Sequence, residues 1–148
     1  MRRLAIDPSI NTVGWAVEED TIRFGTIKVK GVDIPERIKR IVQLLDEKVE
    51  GRFDEILIEM PGPFGSYKSL GSFSSTSLFK LSFATGAIVL WATGRSDNVK
   101  LVPVATWKGQ LPKHVVYERI KRDYPDVKSD HEADAIGILL WRRRNEER

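Results

Sequence analysis

Three acidic residues stand where apolar segments end, and that placement is the main chemical signal in this chain. Asp7 closes Leu4-Ala5-Ile6, Glu59 closes Ile56-Leu57-Ile58, and Asp134 lies inside Ala133-Asp134-Ala135-Ile136 on an otherwise apolar segment. Sites in open α/β sheets form beyond the carboxyl ends of strands. Two strand-terminal carboxylates facing an acidic helix would converge there. Converging carboxylates repel one another, and a cation makes them tolerable at neutral pH. Oxygen donors suit hard divalent ions, and magnesium takes one or two carboxylates, keeps several waters and completes its shell with substrate phosphate. Two Mg2+ or Mn2+ ions about 4 Å apart activate a water and stabilise the leaving oxygen in phosphodiester hydrolysis. The expected metal ligands are Asp7, Glu59 and Asp134.

Each residue also has a plainer reading. Asp7 before Pro8 is a common turn former, and Glu59 before Met60-Pro61 suits a solvated strand end. Asp134, flanked by alanines and followed by Ile-Gly-Ile-Leu-Leu, is the hardest to explain structurally. His131 and Asp130 stand three and four residues before Asp134, spacings that put both on its helix face. Asp130 as a helix cap and His131 as an ordinary surface residue remain open. Beside a carboxylate cluster either serves as a fourth ligand, and His131 can also take a proton from the attacking water.

The elements that must position these groups follow from periodicity. Leu4–Ile6, Thr12–Val17 and Thr21–Val29 read as strands of an antiparallel meander turning at Glu18-Glu19-Asp20. Asp33 caps a helix whose Ile34, Ile38, Ile41, Val42, Leu45 and Val49 share a face, and Gly51 stops it. Glu55–Glu59 is a short strand. The stretch from Gly62 to Thr76 is rich in Gly and Ser, and loops of that length are usually functional or mobile. A helix over Ser77–Thr93 is apolar around most of its circumference, which suits either the core or a subunit interface. Val99–Val104 is a fifth strand, and helices follow at Lys113–Asp123 and Ser129–Arg144. Arg142–Arg148 reads as a frayed helix end. The order predicts one α/β domain over 1–148, a mixed sheet of about five strands with helices on both faces.

Bulk properties narrow the function classes. The chain has 148 residues, 41% of them hydrophobic, and a net charge of +3. Its estimated pI is 9.2, which permits an anionic partner without demonstrating one. The absence of cysteine excludes disulfides, thiol nucleophiles and cysteine-held zinc. The apolar runs Ala87–Ala92 and Ile136–Trp141 are too short for a bilayer, and the N-terminus reaches Asp7 before a signal-peptide core forms. The expectation is a cytoplasmic protein without a membrane partner.

No acidic residue lies between Glu59 and Asp97, whereas Lys68, Lys80 and Arg95 do. Phosphate approaching an acidic cluster benefits from such a surface. Lys68, Lys80, Lys108 and Lys113 are therefore candidate phosphate contacts. Phe64, Tyr67 and Phe73 are candidates to stack on opened bases, although aromatics in such a loop equally pin it to a core.

The motifs resemble the RuvC family of Holliday junction resolvases, within the RNase H-like superfamily. Leu4-Ala5-Ile6-Asp7-Pro8-Ser9 followed by Asn11-Thr12-Val13-Gly14-Trp15-Ala16-Val17 looks like the family's opening hairpin. Ile56-Leu57-Ile58-Glu59 resembles its second acidic strand, and Ser77-Leu78-Phe79-Lys80-Leu81 with Gly86 and Ala87 its long helix. His131-Glu132-Ala133-Asp134-Ala135 is similar to its last motif. The resemblance implies an RNase H-like fold, a homodimer, divalent metal and paired nicks across a four-way DNA junction, with Asp7, Glu59, His131 and Asp134 as catalytic positions. Asp130 is the substitute in a shifted register. Ser9 replaces the family's usual glycine, Trp107–Lys113 is shorter than the matching stretch, and Phe64 falls later than the junction-inserting aromatic. These departures suggest a divergent member, such as a phage one.

Two alternatives stand beside the resolvase. An RNase H-type nuclease acting on RNA–DNA hybrids or flaps would use the same carboxylates. A non-catalytic RNase H-like module binding nucleic acid would not need all three. An actin-like ATPase shares distant topology and an early Asp, but the chain lacks the length and glycine-rich phosphate loops for two nucleotide-clasping domains.

Overall fold

The computed structural model describes residues 1–60 and 75–146. Five strands form one mixed sheet in the order β3-β2-β1-β4-β5. β1 (Arg3–Asp7), β2 (Thr12–Glu18) and β3 (Ile22–Lys28) make an antiparallel meander, while β4 (Glu55–Met60) and β5 (Val99–Pro103) run parallel to β1. This is the mixed α/β sheet that the order of elements predicts. α1 (Ile34–Lys48) starts at Asp33, whose carboxylate accepts from the Glu36 amide at 3.0 Å. α2 spans Ser75–Thr93, α3 Val104–Lys108, α4 Lys113–Asp123 and α5 Asp130–Arg144.

The alternation of side chains along β1 and β4 sorts the molecule into layers. Leu4, Ile6, Ile56 and Ile58 point to one face and pack beneath α1 and α2 with Ile41, Leu45, Ala84 and Ile88. Ala5 and Leu57 point to the other, beneath α5, with Ala16, Ala133, Ile136 and Leu139. The remaining residues on that second face are charged. Arg3 and Glu55 are register partners at the start of the strands, and the pairing Ile6 with Ile58 leaves Asp7 and Glu59 adjacent at the far end.

α5 fits across both ends. From Asp134 to Arg142 it rises about 12 Å, and from Arg3 to Asp7 the strand advances about 13 Å. Arg142 therefore reaches Glu55, with Nε on Oε1 at 2.8 Å and the second fork arm on Oε2 at 3.2 Å. Arg3 adds a bond to Glu55 at 3.1 Å, Lys100 an ion pair at 3.2 Å, and Arg143 holds buried Glu18 at 2.9 Å. The arginine run that sequence alone reads as a frayed end is instead anchored through Arg142 and Arg143, because its partners sit at the start of distant strands. Burial works against the charge on Glu55, but its bonds to Arg142 and Lys100 prevail and hold the carboxyl below its ordinary range. That stabilisation is present above the usual carboxylate range and is lost as acid protonates the folded group. Glu55→Gln removes the carboxylate that Arg3, Arg142 and Lys100 share, while Glu18 and Glu146 still meet Arg3, so the cost should fall below the roughly 3–5 kcal/mol of a fully uncompensated buried charge. A denaturant melt at neutral pH should show that loss; an unchanged midpoint would remove the network from the stability argument.

α2 corrects one expectation. Its residues Thr76–Thr93 form a single helix long and apolar enough, by length and composition, to cross a bilayer, although no uninterrupted apolar run in the sequence reaches that length. Ala84, Ile88 and Ala92 face the sheet and are fully buried. On the opposite side Phe79, Phe83 and Leu90, at helical spacing, are 61–75% exposed.

Candidate functional site

The carboxyl ends of β1 and β4 deliver Asp7 and Glu59 to the α5 side of the sheet, and the second turn of α5 delivers Asp134. One oxygen from each of these three residues lies within 4.8 Å of the others. Asp7 and Asp134 are both 5% exposed. Close approach of α5 depends on Gly14, the register partner of Asp7 on β2. A Cβ there would stand 2.1 Å from the His131 carbonyl oxygen, so only glycine lets the first turn of α5 rest on the strand. That turn is fixed by Ser129, which caps Glu132, and by Glu132, whose carboxylate takes the Lys128 amide and the Thr26 hydroxyl, each at 2.8 Å. This serine-to-glutamate spacing is a capping-box pattern.

Around the carboxylates stand three further side chains. His131 Nδ1 is 2.9 Å from Asp7 Oδ2. Lys108 Nζ is 3.8 Å from Asp134 Oδ1. Trp107 donates its indole N–H to Glu59 Oε2 at 2.8 Å. The glycine after α3, Gly109, has φ of +64°, a left-handed turn suited to a residue without Cβ. It sends the chain into α4, whose first residue, Lys113, lies 3.4 Å from Asp130.

Proton affinities record the crowding. Burial, reinforced by the Asp134 charge, pushes Asp7 up to about 8. Burial and the charges of Asp7 and Asp134 push Glu59 up to about 9. Asp134 is raised too, by burial, against the opposing charges of Lys108 and Lys113. Burial and then Lys113 lower His131, which is neutral at physiological pH. With Asp7 ionised beside a bound cation, Nδ1–H would donate to its carboxylate and Nε2 would keep its lone pair. A desolvated set of oxygen donors that retains protons for want of positive charge has the chemistry of a hard divalent cation site.

The sequence-predicted residues separate clearly. Asp7, Glu59, Asp134 and His131 come together. Asp130 does not join the carboxylate group: it is exposed and paired with Lys113, while Ser129 supplies the helix cap. Lys108 and Lys113 stand near enough to lower the proton affinity of Asp7 and Asp134. Lys80 lies elsewhere, in an apolar groove with Ile34, Pro35, Ile38, Phe79 and Phe83. Lys68, Phe64, Tyr67 and Phe73 fall outside the described residues. Trp107 is the neighbour that sequence reasoning missed. Its one signal is that a buried indole N–H requires an acceptor, and the acceptor cannot be read from spacing.

Comparison with known proteins bears on the fold. Neither a family model nor a curated protein matches the chain. Among solved structures, Thermus thermophilus RuvC in complex with a Holliday junction substrate superposes with a TM-score of 0.68 at 20% identity, covering 98% of this chain and 96% of that one. A second Thermus thermophilus RuvC structure gives 0.64 at 18% identity, over 99% and 97%. The chain thus has the RNase H-like, RuvC-type fold that its motifs resemble.

Proposed function

We propose that this RuvC-like fold is a single-domain, divalent-metal-dependent endonuclease that resolves four-way DNA junctions by paired phosphodiester hydrolysis, in DNA recombination and repair in the cytoplasm. The observation that carries the reading is the convergence of Asp7, Glu59 and Asp134, with His131 on Asp7, on a RuvC-type sheet. Asp7, Glu59 and Asp134 hold the cations, with Asp130 outside their reach. Bound Mg2+ or Mn2+, two ions in this reading, supplies an activated water and charge stabilisation for the leaving oxygen. Asp7 orients the imidazole of His131, and Nε2 accepts the proton of the attacking water. Lys108 and Lys113 meet the phosphate charge, with Lys68 and Lys80 as further phosphate contacts and Phe64, Tyr67 and Phe73 as base-stacking groups.

Paired nicks require two sites related by a two-fold axis, and the exposed stripe Phe79, Phe83 and Leu90 of α2 is where a second copy would dock. Sedimentation at micromolar concentration should give twice 16.9 kDa. Phe83→Glu should yield a monomer that nicks without pairing; a native monomer that nicks in symmetric pairs would remove the preformed dimer.

Cleavage with Mg2+ of a four-way junction, a flap, a duplex and an RNA–DNA hybrid tests the substrate. Preference for the junction supports the resolvase. Faster cutting of the hybrid would replace it with the RNase H-type enzyme, and no cutting of any would leave a binding module.

A further inference from the structure

Trp107 lies against the acidic cluster yet has no part in the chemistry described above. It is buried, on the short helix α3, and its N–H points at Glu59 Oε2. We propose that Trp107 is a positioning residue for cation capture: its indole N–H fixes one oxygen of Glu59 so that the carboxylate is held toward Asp7 and Asp134. The inference rests on the metal-dependent reading of the cluster.

The three carboxylates differ in how they are held. Asp7 and Asp134 have short side chains, and His131 and Lys108 respectively stand beside them. Glu59 has one more rotatable bond and extends from the end of strand β4, so an external restraint helps it present one geometry. An indole is donor only, so the direction of its bond is fixed. It is also neutral. A lysine or arginine at this position would restrain Glu59 but cancel the charge that attracts a cation. The indole restrains it and leaves that charge in place.

The ring itself has a prepared seat. A Cβ on Gly137 would lie 2.5 Å from Trp107 Cζ3 and 3.2 Å from Cη2, so α5 leaves open the space that the indole fills. Gly137 follows Asp134 by three residues, a spacing that puts both on one helix face. The same face of α5 therefore carries one carboxylate and the seat for the group that steers another. Trp107 spans from the β4 carboxylate to α5, and its neighbour Lys108 returns over the ring, 5.6 Å from its centroid, to Asp134.

Titration calorimetry of Mn2+ into the chelator-stripped full chain, without DNA, compares wild type, Trp107→Phe, Gly137→Ala and Glu59→Gln. Trp107→Phe keeps an aromatic ring and removes the donor; Gly137→Ala keeps the donor and displaces the ring. Both should weaken Mn2+ binding roughly 10- to 100-fold, the range for groups that orient metal ligands. Both should recover cleavage as Mn2+ is raised, with KM for junction DNA unchanged. Mn2+ affinity equal to wild type in both variants, even with a lowered melting temperature, would make the indole a packing element and overturn the proposal. If Trp107→Phe does not fold, Gly137→Ala decides by the same comparison. Wild type that takes up no Mn2+, or Glu59→Gln that binds it normally, would overturn the metal reading and this inference together.

Discussion

Asp134→Asn is expected to lower single-turnover cleavage of a four-way junction by about a thousandfold or more, equivalent to roughly 4 kcal/mol of barrier. The substitution preserves shape and removes a charge that meets the charges of Asp7 and Glu59 in a desolvated site. Without that charge the remaining pair attracts a cation more weakly, while Lys108 and Lys113 still meet phosphate. Junction binding, measured in Ca2+ or chelator, should therefore persist and tighten slightly as repulsion falls. Asp7→Asn should behave alike, with the added loss of the acceptor that orients His131. His131→Ala removes a proton acceptor, and general-base contributions run from about a hundredfold upward. Asp130→Ala should change the rate little, because Asp130 is exposed and bonded to Lys113. A larger loss at Asp130 than at His131 would reverse the assignment of the fourth residue, and near-normal cleavage by Asp134→Asn would end the metal-cluster reading.

The catalytic candidates were legible in sequence because each carboxylate interrupts an apolar pattern, and a strand's end can be found from such a pattern. Asp7 and Glu59 follow continuously buried apolar runs, and Asp134 sits among residues with no solvent to face. Long-range partnerships were not legible. Glu55 reads as the polar start of a strand until the register sets it beside Arg3 and α5 brings Arg142 across. The five residues of α3 are too few for helical periodicity to show, and Val104 and Thr106 favour a strand. Sequence alone therefore ends a strand at Val104 and assigns the following residues, Trp107 included, to no element. α2 posed the opposite difficulty. Apolar on every side, it gave no phase from which to separate its two faces. The sheet supplies the phase by burying Ala84 and Ile88, which leaves Phe79 and Phe83 outward. Ala84, on a helix that sequence alone offers equally to the core or to a subunit interface, belongs to the core.

The second large effect concerns stability. Metal-free protein should lose melting temperature between pH 7 and pH 9.5, on the order of 10 °C, and Mg2+ should restore most of it at the higher pH. Folding raises Asp7 to about 8 and Glu59 to about 9, chiefly through burial, from ordinary values of 3.8 and 4.5. The folded state thus binds more protons than the unfolded chain across this window, and stability falls as pH rises wherever that holds. Such a contribution is whole below the unfolded values and is lost progressively as pH climbs through the folded ones. Each pH unit costs about 1.4 kcal/mol per group still protonated only in the folded state, so the fall amounts to a few kcal/mol. In a domain of this length one kcal/mol moves the melting temperature by about 2–4 °C. The window lies above the range of His131, which folding lowers, and above the acid range in which Glu55 loses its stabilising charge. Mg2+ needs the deprotonated carboxylates, so its stabilisation should grow with pH as the metal-free protein weakens. Asp134→Asn, which relieves the crowding, should flatten the decline in chelator and blunt the response to Mg2+. A melting temperature that stays level from pH 7 to 9.5 in chelator would mean that the three carboxylates do not strain the fold, and one that Mg2+ leaves unmoved at pH 9.5 would mean that they do not bind the ion.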